Sequence, residues 1–175
     1  MANTRIDPLT GRRKDWVDPR AAEAAKKAED RRIVKQLELL ERDAKARDAK
    51  GDLLTYTQFT MPDPEAPNDV HRSRYKATKM HVEVAKALTQ FIKGELLNAD
   101  GSVCNQLIFE MPPRHGKTQL STKSLSAWVS GLFPMWDIGG ASYSDTMAED
   151  MGADTRAILT SPQHRQVFPT HRLRR

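Results

Sequence analysis

Met111-Pro112-Pro113-Arg114-His115-Gly116-Lys117-Thr118 decides how the rest of the chain is read. It lies between a short apolar run, Gln106 to Met111, and a segment, Gln119 to Leu132, in which Leu120, Leu125, Trp128, Val129 and Leu132 recur at roughly helical spacing. Leu107, Ile108 and Phe109 give the run strand character, and Gly131 and Pro134 mark the end of the helical segment. A strand that enters a helix through Gly-Lys-Thr is the setting of a phosphate-binding loop. Gly116 lets the backbone approach a polyphosphate, and the amides entering the helix point at the anion from its positive dipole end. In such a loop Lys117 reaches the β and γ phosphates of ATP and the Thr118 hydroxyl holds Mg²⁺. Met111 stands where the usual pattern has its first glycine, and Pro112 and Pro113 have no amide proton. The cradle is therefore expected from Arg114, His115, Gly116, Lys117 and Thr118.

Gly-Lys followed by Ser or Thr arises by chance in roughly one chain in ten of this length. The tripeptide thus gains its weight from the strand before it and the helix after it. The competing reading is a surface turn with a basic helix start.

Downstream, Ile138 to Tyr143 reads as a glycine-containing strand, expected parallel to the first one after a right-handed crossover. Ser144 is placed to cap a following helix with Met147, Ala148, Met151, Ile158 and Leu159 on its apolar face. Ser142 and Ser144 stand at the carboxyl edge of that strand, where open α/β sheets bind ligands, although capping and turn formation explain them equally well. Upstream, Thr78 to Leu97 is helical in pattern, with Val84, Leu88, Phe91 and Ile92 on one face, and Asn98 to Gly101 supplies a turn. Asp52 to Asn68, with Pro62, Pro64 and Pro67, reads as an extended connector. Arg20 to Lys50 is a charged helix with a narrow stripe of Ile33, Leu37, Leu40 and Ala44, and Ala2 to Pro19 is expected to be flexible. The stripe suits either a solvated helix or a docking helix for a partner. The expected organisation is a flexible amino terminus and charged helix over residues 1–50, then part of an α/β nucleotide-binding domain over residues 51–175.

From Leu53 to Arg174 the sequence resembles the large terminase subunit of tailed bacteriophages, the ATPase that drives DNA into the empty capsid. The resemblance rests on Tyr56-Thr57-Gln58-Phe59-Thr60-Met61-Pro62, on Tyr75 and His81 at the head of a helix, and above all on Pro112-Pro113-Arg114-His115-Gly116-Lys117-Thr118. Ala127-Trp128, Ala141-Ser142-Tyr143-Ser144, Met147-Ala148, Ser161-Pro162 and Val167-Phe168-Pro169 follow in order. It implies a partial P-loop NTPase fold, a parallel sheet with flanking helices, behind the charged amino-terminal helix. It also implies ATP and Mg²⁺ as cofactors, and adenine contacts at Tyr75 and His81. The implied partners are double-stranded DNA, the small terminase subunit, the portal protein and further copies in a ring, all at the procapsid portal in the host cytoplasm. Ordinary packing explains a lone Tyr or His as well. Arg114, three residues before Lys117, is expected to swing its guanidinium to the γ phosphate and stabilise transition-state charge, or else to pair with a nearby acid and shape the loop.

A phosphoryl-transfer site also needs carboxylates to hold Mg²⁺ and orient water. After Tyr143 the acids are Asp145, Glu149, Asp150 and Asp154, all on a helix-like segment, and none follows Asp154. The expectation is an amino-terminal fragment that stops before its catalytic acids and lacks the nuclease domain, inactive by itself. A helicase-like or other P-loop ATPase fragment, or a non-catalytic module that binds nucleotide or partners, are the alternatives. The single cysteine, Cys104, excludes an internal disulfide, and neither a signal-peptide core nor a membrane-spanning apolar run occurs. A net charge of +5 favours a polyanionic partner, with solubility as the plainer explanation. The tail carries Arg156, Arg165, Arg172, Arg174 and Arg175 without compensating acid, a further candidate for DNA contact.

Overall fold

The computed structural model describes residues 18–112 and 115–173. The expected flexible segment before Asp18, Arg114 and the last two arginines lie outside the described residues. The elements are α1 (Pro19–Gly51), α2 (Leu53–Thr60), α3 (Lys79–Lys93), α4 (Leu125–Leu132), α5 (Asp145–Thr160) and α6 (Pro162–Val167), with a π-helical stretch, Thr118–Ser124, running without a break into α4.

The expected α/β fold with a parallel sheet is corrected by this architecture, which is helical. Among the described residues the only β pairings are two isolated antiparallel bridges, Pro62 with Ser73 and Leu97 with Val103. Both segments read as strands, Gln106 to Met111 and Ile138 to Tyr143, are without regular structure. Their composition explains why. A strand that is apolar on both faces is stable when covered on both, and here Leu107 and Phe109 pack on the core while Ile108 is 91% exposed. The second run carries Gly139 and Gly140, which offer no side chain to a neighbouring strand.

Chain contacts divide the protein into residues 1–40 and residues 41–175. In the first unit the described part of α1 is solvent-exposed, Ile33, Val34, Leu37 and Leu40 included, and Lys27 pairs with Glu23 one turn away at 2.8 Å. In the second unit Ala46 and Ala49, near the end of α1, join a core with Leu53, Tyr56 and Phe59 of α2, Ala85 and Leu88 of α3, and Leu120, Ala127, Trp128, Val129, Val167 and Phe168.

Helix α2 replaces the first half of the extended connector expected over Asp52 to Asn68, and residues 61–68 run on without a helix. Asp52 caps it, its Oδ2 accepting from the Thr55 amide at 2.7 Å and the Thr55 hydroxyl at 2.7 Å. Leu53, Tyr56, Thr57 and Thr60 are buried along one face at helical spacing. The Thr57 and Thr60 hydroxyls donate to the carbonyls of Leu53 and Tyr56 at 2.8 and 2.9 Å, so they enter the core already satisfied. Across the core the Trp128 indole, fully buried, donates its Nε1–H to the Ala49 carbonyl at 3.1 Å. The Leu53 amide donates to Thr89 Oγ1 at 3.2 Å. The first bond ties the end of α1 to the long helix that begins at Thr118, and the second ties the start of α2 to α3. Among the described residues no helix is long and apolar enough to cross a membrane.

Candidate phosphate-binding turn

Gly116 has φ +72°, a left-handed conformation that L side chains rarely adopt, and it ends the loop that opens the long helix. Lys117 already has helical dihedrals. The Leu120 amide donates to the Gly116 carbonyl at 3.1 Å. The amides of Lys117, Thr118 and Gln119 therefore precede the first intrahelical donor, the Leu120 amide, and carry the positive end of the helix dipole. The side chains of Lys117 and Thr118 are exposed, and no ion pair engages Lys117 among the described residues.

Tyr75 and His81 stand behind this turn. A Cβ built on Gly116 would lie 3.2 Å from Tyr75 Cε2, 3.4 Å from its hydroxyl oxygen and 3.5 Å from His81 Nε2. The two rings meet edge to face, centroids 5.4 Å apart. Tyr75 is held from below: its amide donates to Ser73 Oγ at 3.1 Å, and that hydroxyl donates to the Met61 carbonyl at 2.8 Å. Only 7% of Tyr75 is exposed and its buried hydroxyl has no partner among the described residues. Burial pushes the phenol up to about 12, so it keeps its proton at neutral pH and remains a donor without an acceptor.

His81 is also buried and its tautomer follows from its neighbours. The Thr78 backbone amide, which can only donate, points at Nδ1 from 3.0 Å, with the Thr78 hydroxyl 2.8 Å from the same atom. Nδ1 is therefore the acceptor, and the proton sits on Nε2, which donates to the His115 carbonyl at 2.5 Å. The fold thus brings Tyr75, His81, His115 and Gly116 together, with Lys117 and Thr118 on the next turn.

The acids after Tyr143 belong to α5. Asp145, Glu149 and Asp150 are exposed, and Asp154 pairs with Lys123 of the π-helical stretch. Ser144 caps α5, its Oγ accepting from the Met147 amide at 3.3 Å. A cleft of about 880 Å³ between α5 and the long helix is lined by Trp136, Ile138, Met151, Arg156 and Leu159, with Ser126 and Ser130 on the facing side.

Sequence reasoning missed a second polar cluster in the core. Tyr56 hydroxyl lies 2.7 Å from His164 Nδ1, His164 Nε2 lies 2.8 Å from His171 Nδ1, and His171 Nε2 lies 3.2 Å from Ser130 Oγ. The chain satisfies every ring nitrogen if all donors run in one direction along it. Burial, then the neighbouring His171, lowers His164 to about 4, and burial lowers His171 as well, so both are neutral rings at pH 7. The local signal available was Ser161-Pro162, a cap followed by Pro at the first helical position: Ser161 Oγ accepts from the His164 amide at 3.1 Å. Nothing local pairs His164 with Tyr56.

No protein-family model, curated protein or solved structure matches this chain.

Proposed function

We propose that the turn from His115 to Thr118 binds the phosphates of ATP with Mg²⁺, and that the chain is the ATP-binding part of a motor that packages double-stranded DNA. One observation carries the first half. Left-handed Gly116 opens a long helix over a nine-tenths-buried phenol that lacks an acceptor among the described residues, and the next residue is a lysine that makes no ion pair among them. The helix-entry amides of Lys117 to Gln119, the helix dipole and a lysine without an ion pair among the described residues suit a polyphosphate, and the left-handed φ of Gly116, with Tyr75 and His81 close behind it, favours glycine there. The donors fit the group: Lys117 would meet β and γ phosphate oxygens, and the exposed Thr118 hydroxyl would be one oxygen ligand to Mg²⁺. That ion takes most of its remaining ligands from phosphate and water. When bound, Mg²⁺ neutralises charge that develops on the phosphates. Arg114 is proposed to contribute charge stabilisation at the γ phosphate.

The motor half rests on the terminase resemblance and on a net charge of +5, which suits DNA as partner. The small terminase subunit, the portal protein and sister copies in a ring are proposed partners on the same ground. A non-catalytic nucleotide-binding role is the second reading. It is favoured by the acids of α5, which stand along a helix with Asp154 already held by Lys123.

Calorimetric titration with Mg-ATP tests the site. Lys117→Ala is expected to weaken binding by about tenfold or more, through loss of a charge-assisted contact worth about 1.5–3 kcal/mol. Equal affinity in parent and variant would overturn the assignment. Phosphate release by the parent, with and without DNA, separates the two readings: sustained Lys117-dependent turnover rejects the non-catalytic one.

A further inference from the structure

We propose that His81 is a positioning residue that holds the phosphate-binding turn in its open-amide shape, a role that rests on the phosphate reading above. Three observations converge. Both ring nitrogens are engaged, Nδ1 by the first turn of α3 through Thr78 and Nε2 by the His115 carbonyl on the far side of the turn. The ring is 5% exposed, which leaves it little surface to offer a ligand directly. The same Nε2 lies 3.5 Å from where a Cβ on Gly116 would be, so the ring fixes the turn by contact as well as by hydrogen bond.

The consequence for binding follows from peptide geometry. The His115 carbonyl and the Gly116 amide belong to one planar peptide group and point in opposite directions. A donor that holds the carbonyl inward, against α3, therefore aims the Gly116 amide outward. Without that donor the peptide is free to rotate, the carbonyl can turn toward the ligand side, and an oxygen there repels phosphate. Residue 81 thus sets the affinity of the turn without touching the anion. Tyr75 adds to the support, packed edge to face against His81 behind the same turn.

The two ends of the imidazole can be tested separately. In His81→Asn the side-chain oxygen takes the place of Nδ1 and keeps an acceptor for Thr78, while the donor to His115 is lost. In His81→Gln the longer amide reaches the Nε2 position and keeps that donor, and Gln at the third helical position can still serve the cap. Mg-ATP affinity by calorimetry is expected to fall by about fivefold to tenfold in His81→Asn, the worth of one hydrogen bond. His81→Gln is expected to stay within about twofold of the parent. Hydrogen exchange at the Gly116 amide, followed by NMR without nucleotide and fast in the parent because that amide is open, is expected to slow in Asn as the peptide turns it inward and to remain parent-like in Gln.

If the parent binds Mg-ATP in a Lys117-dependent manner and both variants bind and exchange as it does, the positioning role is wrong and the phosphate reading stands. Equal losses in both variants, matched by equal falls in melting temperature, identify a merely structural histidine and also overturn the proposal. If the parent itself does not bind Mg-ATP, the phosphate reading fails and takes this role with it.

Discussion

Two glycines on two helices make opposite predictions for the same substitution. Gly131 lies in α4 and Gly152 in α5, and neither has a positive φ. By intrinsic helix propensity, Ala should stabilise each site by about 0.8–1 kcal/mol. At Gly152 nothing lies within 4 Å of the added Cβ, so that gain should be realised. At Gly131 the Cβ would lie 2.3, 2.5 and 2.6 Å from three ring carbons of Phe168, where carbon contacts rest near 3.5–4.0 Å. The ring has nowhere easy to go: Phe168 is 3% exposed, with centroids 6.0 Å from Tyr56 and 5.3 Å from His164. Overpacking a filled core costs about 1–3 kcal/mol, and displacement here also loosens the Tyr56–His164 bond, which places Gly131 at the high end. The difference is a net loss of about 2 kcal/mol, or about 4–8 °C in melting temperature, against a rise of about 2–4 °C for Gly152→Ala. Thermal unfolding followed by circular dichroism at 222 nm reads both. Phe168→Leu in the Gly131→Ala background should recover part of the loss. If Gly131→Ala melts above the parent, propensity has won and Phe168 does not sit over Gly131.

Acid should destabilise the fold through the buried histidines. His164 is lowered to about 4 when folded against about 6.5 unfolded, so its contribution is complete above pH 6.5 and is lost as pH falls toward 4, up to about 3 kcal/mol. Urea midpoints at pH 7 and 5 should show this slope in the parent and a shallower one in His164→Gln; an equal slope in both would refute it. Trp128→Phe leaves the Ala49 carbonyl buried without its donor and should cost about 2–4 kcal/mol in a denaturant titration. Trp136→Phe, on a half-exposed ring stacked 4.2 Å from Phe133, should cost about 1 kcal/mol or less, and similar losses at the two sites would contradict the assigned burial. Binding of double-stranded DNA should be indifferent to sequence and weaken steeply between about 50 and 200 mM salt, as counterion release requires. Fluorescence anisotropy that stays flat across that range would reject a phosphate-backbone interface.

Periodicity carried the helices. The stripe of Val84, Leu88 and Ile92 lies on α3, and the apolar spacing after Thr118 became the long helix with Leu120 and Trp128 at zero exposure. Gly116 was legible as the point of close backbone approach, whereas its left-handed φ emerges only in the fold. The sheet was not there to be read, because apolar runs such as Leu107 to Phe109 have the same local pattern whether a strand neighbour exists or not. Helix α2 was hidden by its composition: Thr and Tyr favour strands, and only once Thr57 and Thr60 bond back to their own helix does the segment make sense as a buried face. In the candidate site, Tyr75 and His81 were singled out through resemblance. That His81 holds a loop carbonyl and Tyr75 has an orphan hydroxyl depends on a contact across 34 residues, which no spacing encodes.

The bond between Tyr56 and His164 spans 108 residues, and that separation has a meaning during synthesis. At about 5–20 residues per second a ribosome needs roughly 5–20 s to deliver the histidine after the tyrosine has been made. For that interval the residues of α2 can draw only on their own cap and internal bonds, too few to hold so short a helix, while the face of Leu53, Tyr56 and Phe59 waits for Trp128, Val167 and Phe168. A nascent chain in this condition presents a sticky half-core to chaperones and to its own neighbours on the polysome. Its yield in a cell should therefore depend on translation speed over the stretch between Phe59 and His164 as well as on the final stability of the fold.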